Sequence, residues 1–321
     1  MVYIYRGNLK VWYRVLLFFL VLNPNIIFPN QSKEKSNEYD FNFWGSSRLS
    51  KAIEHGNAQI VADFLKNGGD PNLRDESTYS LLMKAADDGQ LEIVKMLLSH
   101  GSDPNLQHDD GFTALEFATM RENNLSVIDV LLNANANPNM GGQAPVIRAI
   151  SDSRADYLRR LLQAKANPNM GMEKMGNYSI YGSPLVFAIR KKRVEMAEIL
   201  INSGADVNFR NPYSGETALI YSIMARQDSI VKNLLKMGAD PNIQSKEGGT
   251  PLMAATRVGN VELVQLLLKH GALRELKTKK GNTALILAKK DLADAKKENL
   301  SEYVEKYNLI IQILSNSEFE K

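Results

Sequence analysis

The residue types that most often carry enzyme chemistry are few in this sequence and widely spaced. The chain has four histidines and no cysteine, which excludes thiolate nucleophiles, cysteine zinc sites and disulfide frameworks. Neither His55 nor His108 has a metal-ligating residue three or four positions later, the spacing that places two ligands on one helix face. We therefore expect no metal site.

Two pairs of adjacent acids, Asp87-Asp88 and Asp109-Asp110, are the remaining candidates for chemistry. Carboxylates serve general acid–base catalysis and calcium binding. These pairs fall at helix ends and turn tips, however, where solvation explains them. The sequence contains no P-loop, no G-x-G-x-x-G and no G-x-S-x-G motif. It therefore predicts a protein that is not an enzyme, with no cofactor and no small-molecule substrate.

The charges of the chain are balanced outside its first thirty residues. Those residues contain Arg6, Lys10 and Arg14 and no acid, and the whole chain has 39 basic against 36 acidic residues. The remainder is therefore neutral, and a nucleic-acid partner is not expected.

Residues 1–30 have the pattern of a signal peptide. Three basic residues precede VLLFFLVL (Val15 to Leu22), an apolar run of eight that ends at Asn23 and Pro24. A transmembrane helix needs about 20 apolar residues. We therefore expect export, periplasmic or secreted, with an uncleaved membrane anchor as the alternative. Residues 31–46 are interpreted as a polar linker followed by an aromatic cap made by Phe41, Phe43 and Trp44.

The rest of the sequence repeats with a period near 33 residues. The triplet D-P-N or a relative recurs seven times, from Asp70-Pro71-Asn72 to a degenerate Leu273-Arg274-Glu275. A second marker, the residue predicted to open the first helix of each unit, recurs in step with these triplets. The residues at this position are Ser47, Ser80, Thr113, Ala144, Ser183, Thr217, Thr250 and Thr283. A fixed period of this length indicates a solenoid of stacked units.

Each unit is predicted to be a helix, a turn, an antiparallel helix and an extended turn. In Gly248 to Ala272, Thr250 is the N-cap and Pro251 fits the first helical position. Apolar residues then recur at steps of three and four in the second helix. His270 precedes Gly271, which stops that helix. His100 holds the same repeat position, so both histidines are expected to stabilise helix ends.

These residues resemble the ankyrin repeat family. TPLMAA (Thr250 to Ala255) and the D-P-N triplets carry the resemblance, which covers residues 47–314 in about eight units, leaving 315–321 as a tail. It implies an all-α ankyrin-repeat solenoid. The family's histidine in T-P-L-H is replaced in every unit, so its hydrogen-bond ladder is not expected here. Asn135 and Lys165 stand where other units have a helix-ending glycine.

The resemblance implies that an unidentified protein docks on the concave face made by the turn tips and first helices. Carried over by position, and with the long turn at 170–182 added, the candidate contact residues are Tyr79, Asp87, Asp88, Phe112, Arg121, Tyr178, Tyr181, Arg190, Lys191, Tyr213, Glu216 and Arg257.

Two other functions remain open at this point. One is a membrane-anchored structural scaffold that retains its N-terminal segment. The other is a hydrolase-like enzyme whose site is assembled across repeats and includes Asp87 and Asp88. We expect a monomer.

Overall fold

The computed structural model describes residues 41–142, 145–170 and 182–316, with the side chains of 41–46 excepted. These residues form sixteen helices and no strand beyond two isolated bridges. In chain order, α1 to α16 are Phe41–Glu54, Ala58–Lys66, Leu81–Asp87, Leu91–Ser99, Ala114–Met120, Leu125–Asn133, Pro145–Ser151, Ala155–Gln163, Pro184–Arg190, Val194–Asn202, Ala218–Met224, Asp228–Lys236, Pro251–Val258, Val261–Lys269, Ala284–Lys297 and Ser301–Ser315.

By its contacts the chain divides into two compact units, Met1–Gly45 and Ser46–Lys321. The first is described only at residues 41–45. In the second, each odd-numbered helix from α3 onwards packs against the even-numbered helix that follows it and against the next odd-numbered helix. The even-numbered helices pack against their equivalents in the same way, except α12 with α14. The described residues therefore form a solenoid of helix pairs, called units one to eight below. The predicted signal peptide and most of the predicted linker lie outside the described residues.

In units two, three, five, seven and eight the first helix begins as the sequence predicts, whereas the Thr217 hydroxyl at the start of α11 caps no amide. The hydroxyls of Ser80, Thr113 and Thr250 each accept a hydrogen bond from the backbone N–H three residues later. Such caps satisfy one of the amides that a helix start leaves without a partner. Ser183 and Thr283 cap their helices in the same way. Ala144 lies outside the described residues.

The second helices end as predicted, in a left-handed residue. Gly101 and Gly271 have φ of +90° and +83°, which glycine adopts without a side-chain penalty. The Nδ1 atoms of His100 and His270 lie 2.9 Å from the carbonyl oxygens of Met96 and Leu266 respectively. Both histidines therefore belong to helix ends, which confirms their structural role.

Lys165 has φ of +65° at this position, and its side chain is exposed. We expect Lys165→Gly to stabilise the protein by about 1 kcal/mol, because the lysine carries a left-handed backbone penalty that glycine lacks. Chemical denaturation measures this change. Gly204→Lys is the reciprocal control. Gly204 has φ of +84°, and a Cβ added there would meet no atom within 4 Å, so this variant should lose a similar amount. A lower stability of Lys165→Gly would contradict the assignment.

An asparagine ladder joins successive units. The asparagine of each D-P-N triplet accepts, through Oδ1, the backbone N–H that opens the next triplet. In Asn208 this bond to the Asp240 N–H is 2.8 Å, and its Nδ2 donates to the Gly238 carbonyl at 3.2 Å. The Oδ1 atoms of five other asparagines accept the equivalent bond at N···O distances of 2.6–2.8 Å. They are Asn72, Asn105, Asn139, Asn169 and Asn242. The recurring asparagine thus fixes the spacing between units.

Asn208→Ala is expected to destabilise the protein by about 2 kcal/mol. It leaves one amide and one carbonyl without their partners, and each hydrogen bond contributes about 1 kcal/mol. Asn202→Ala is the matched control, because Asn202 is exposed at the end of α10 and should change stability by less than about 0.5 kcal/mol. Equal effects of the two substitutions in urea unfolding would show that the ladder contributes nothing.

The turns between units, called fingers below, stack on one another at their tips. The Lys246 N–H donates to the Ser214 carbonyl at 2.7 Å, and the Lys279 N–H donates to the Glu247 carbonyl at 3.0 Å. Glycines with positive φ occupy the tips at Gly215, Gly248 and Gly281. The fingers of units six to eight therefore form a continuous backbone-bonded edge.

The two ends of the array differ from the predicted repeat. The first helix begins at Phe41, not at Ser47 as predicted. No proline lies between Phe41 and Ser47, so nothing there prevents the helix from extending towards the N-terminus. At the other end α15 and α16 have 14 and 15 residues. Tyr307, Ile310 and Leu314 of α16 are buried, which gives the predicted C-terminal stripe a closing role. The count of about eight repeats stays a prediction.

Candidate protein-binding face

A groove of 730 Å³ lies between the fingers and the first helices of units six to eight. One wall carries Glu216 and Glu247 from the fingers, and the other carries residues of α11, α13 and α15. The groove floor is apolar and includes Ile220, Met253 and Leu287. A surface that combines exposed charges with an apolar floor is typical of a binding site for a macromolecule.

One repeat position lines this groove in successive units. It is the seventh residue after the helix-opening position and is called the helix-end row below. From unit one to unit eight it is Glu54, Asp87, Met120, Ser151, Arg190, Met224, Arg257 and Lys290. All except Met120 are exposed, and the row changes from acidic in units one and two to basic in units five, seven and eight. Met224, Arg257 and Lys290 line the groove directly.

The structure brings three predicted contact residues together at the acidic end. Arg121 Nη2 lies 3.3 Å from Asp88 Oδ1, and Arg121 Nε donates to the Asp87 carbonyl. Burial and the neighbouring charge of Asp88 raise the pKa of the Asp87 carboxyl above its usual value, although Arg121 opposes this. These residues therefore make a contact between units two and three.

Tyr79 and Phe112 are half-buried in an aromatic cluster. The Tyr79 ring centroid lies 4.5 Å from that of His108 and 5.2 Å from that of Phe117, and Phe112 lies 5.7 Å from Phe117. His108 Nε2 is 2.9 Å from the carbonyl oxygen of Ser77. This cluster joins the fingers of units two and three.

The predicted residues at the basic end are more open. Arg190, Lys191 and Arg257 are exposed, and Tyr213 has 60% of its surface exposed. Glu216 is half-buried. Burial is the main cause that raises the phenol pKa of the neighbouring Tyr221, and the charge of Glu216 raises it further. Tyr178 and Tyr181, with most of the long turn, lie outside the described residues.

A family model described as ankyrin repeats matches residues 49–141, 82–172, 148–245 and 223–295. The matched residues cover most of the chain and coincide with the stacked helix pairs. The chain belongs to the ankyrin repeat family. Ankyrin repeats in general are protein–protein interaction scaffolds and in general are not enzymes.

Similar proteins share the ankyrin array in part. The chain is 35% identical over 79 residues to human "2-5A-dependent ribonuclease", which is 25% of this chain and 11% of that protein. It is 30% identical over 166 residues to "Protein glp-1" of Caenorhabditis elegans, 49% of this chain and 13% of that protein. It is 28% identical over 218 residues to human "SH3 and multiple ankyrin repeat domains protein 2", 66% of this chain and 11% of that protein. The chain thus spans little more than a tenth of each relative.

The ankyrin array replaces the family's T-P-L-H histidine as the sequence predicts. Met83, Ile147, Val186, Ile220 and Met253 stand there and are buried, so in these units apolar contact substitutes for a polar ladder. In unit eight the equivalent Ile286 is 47% exposed. In unit three the residue is Glu116, fully buried, whose Oε2 accepts the Gly142 N–H of the next unit at 2.9 Å. Unit three therefore keeps a polar link between units.

Of the residues that line the groove, sequence reasoning predicted Glu216 and Arg257 and missed the others, among them Met224 and Lys290 of the helix-end row. Met224 has 59% of its surface exposed. Both residues hold the same repeat position as Arg190 and Arg257, which were predicted. Comparing equivalent positions across all units would have found them.

In the part of the array that the structure describes, no helix is long and apolar enough to cross a bilayer. The same residues include no cluster of three or more side chains suited to hold a metal ion.

Proposed function

We propose that this ankyrin array is a non-enzymatic scaffold that binds a partner protein on its concave face, made by the fingers and the first helices. The observation that carries the proposal is Met224, a largely exposed apolar side chain in a groove whose rims carry charges. Exposed apolar groups surrounded by polar ones mark interaction sites. Arg190, Lys191, Tyr213, Glu216 and Arg257 lie at or near the basic end of this face.

Position-specific photo-crosslinking in the native cell tests the docking face. A photoreactive residue replaces Met224 in one variant and Met237 in the other. Met237 is the matched control because it is an exposed methionine, 47% accessible, at the end of the second helix of the same unit. We expect a defined protein adduct from position 224 and none from position 237. Equal adducts from both positions would contradict the proposal.

We further propose that the array acts after export. The basic residues Arg6, Lys10 and Arg14 before the apolar run Val15 to Leu22 support a cleaved signal peptide. N-terminal sequencing of the native protein should begin between Ile26 and Ser32. A chain that begins at Met1 and fractionates with membranes would support the anchored scaffold instead.

A further inference from the structure

The basic half of the helix-end row consists of Arg190, Met224, Arg257 and Lys290. These residues are 33 or 34 positions apart in sequence, so each belongs to a different, consecutive unit. Arg190 influences the pKa of Tyr221 in the next unit, and Arg257 influences that of Asp291 in the next. The four side chains therefore form a single line along the array.

The cations in this line are not neutralised by ion pairs. The ion pairs among the described residues involve neither Arg190, Arg257 nor Lys290. Lys191, Lys192 and Arg193 follow Arg190 in the same turn, and all three are exposed and also absent from those pairs. The Asp291 carboxylate lies in the same groove near Arg257 and Lys290, and one carboxylate against three cations leaves net positive charge available to a partner.

Given a partner on the concave face, as proposed above, we infer that the partner presents an extended acidic segment with one apolar residue. Packed helices lie about 8–10 Å apart, and an extended chain in the polyproline II conformation advances about 3.1 Å per residue with three residues per turn, so every third side chain lies on the same face. Every third partner residue therefore meets the next unit. The partner segment that fits this line therefore has, at every third position, an acidic, an apolar, an acidic and an acidic residue. These face Arg190, Met224, Arg257 and Lys290 respectively.

A protein segment fits this line better than a nucleic acid or a lipid surface. Met224 interrupts the cations with an exposed apolar side chain, which a regular phosphate backbone does not match. The groove lining also includes the carboxylates of Glu216, Glu247 and Asp291, against one further cation, Lys280. These carboxylates repel a partner that is negatively charged at every residue. A segment with spaced acids avoids that repulsion.

Synthetic peptides test the inference on the full array. The probe is a fluorescent ten-residue peptide with glutamate, leucine, glutamate and glutamate at every third position and serine elsewhere. Its isomer of identical composition places the three glutamates together. We expect the spaced peptide to bind at least about fivefold more tightly than its isomer by fluorescence anisotropy. The combined Arg190→Glu and Arg257→Glu substitutions should weaken binding at least about tenfold, as should Met224→Glu.

Lys269→Glu is the matched control, since Lys269 is exposed at the end of the second helix of unit seven. It should leave the affinity within about twofold. All the substituted side chains are exposed, and circular dichroism of each variant checks folding. No binding of the spaced peptide, or equal binding of the isomer, would overturn the inference. So would tighter binding of single-stranded RNA or phosphatidylserine vesicles through the same cations. A Met224-dependent crosslink without peptide binding would leave the proposed function standing.

Discussion

Leu200→Ala is expected to destabilise the ankyrin array by about 3 kcal/mol. Leu200 lies in α10 near the middle of the array and is fully buried. Truncating a buried leucine to alanine removes three carbons from the core and leaves a cavity. Together these two effects lower the free energy of unfolding by about 2–5 kcal/mol. Each unit packs against the next, so the cavity weakens the packing on both sides. Urea denaturation followed by far-UV circular dichroism measures the change.

Leu273→Ala is the matched control for this prediction, because Leu273 is 45% exposed. It replaces the aspartate that opens most of the other triplets. Replacing the exposed Leu273 side chain with alanine should lower the free energy of unfolding by less than about 1 kcal/mol. Comparable destabilisation by the two substitutions would mean that the second helices do not carry the core.

Gly248→Ala is expected to cost about 2–4 kcal/mol. Gly248 has φ of +80°, and a Cβ there would lie 2.8 Å from Thr278 Cα and 2.9 Å from the Lys277 carbonyl oxygen. The left-handed backbone costs alanine about 1 kcal/mol, and overpacking against a neighbouring backbone adds about 1–3 kcal/mol. The finger of unit seven must therefore separate from that of unit eight. Thermal and urea unfolding measure the loss.

Gly281→Ala separates the two contributions. Gly281 is the same residue of the last finger, with φ of +77°, and nothing lies within 4 Å of its Cβ position. Only the conformational cost of about 1 kcal/mol should remain. If both alanine variants lose the same stability, contact between the finger tips is not what requires glycine at Gly248.

The sequence was sufficient wherever a feature depends on neighbours within one unit. The cap at Thr250, the proline at Pro251 and the left-handed Gly271 were all predicted, because each rests on hydrogen bonds and sterics within a few residues. The left-handed conformation of Lys165 followed from its repeat position alone.

The sequence was insufficient wherever a feature depends on the register between units. The ladder of Asn208 and its equivalents joins residues about 30 positions apart, and repeat spacing alone does not show which side-chain atom meets which amide. The Arg121–Asp88 ion pair and the half-burial of Tyr79 and Phe112 depend on the same register. Of the predicted contact residues, those of the acidic end are therefore partly used within the array, whereas the basic end remains open.

Native-state hydrogen exchange of the Leu200→Ala variant tests the central claim, that units are stabilised by their immediate neighbours along a single line. Opening free energies of the helical amides are compared with those of the unsubstituted protein. We expect the largest losses in α8 to α12 and progressively smaller losses towards α3 and α16, because nearest-neighbour coupling decays along the array. An equal loss in every helix, including those of units two and eight, would contradict the account.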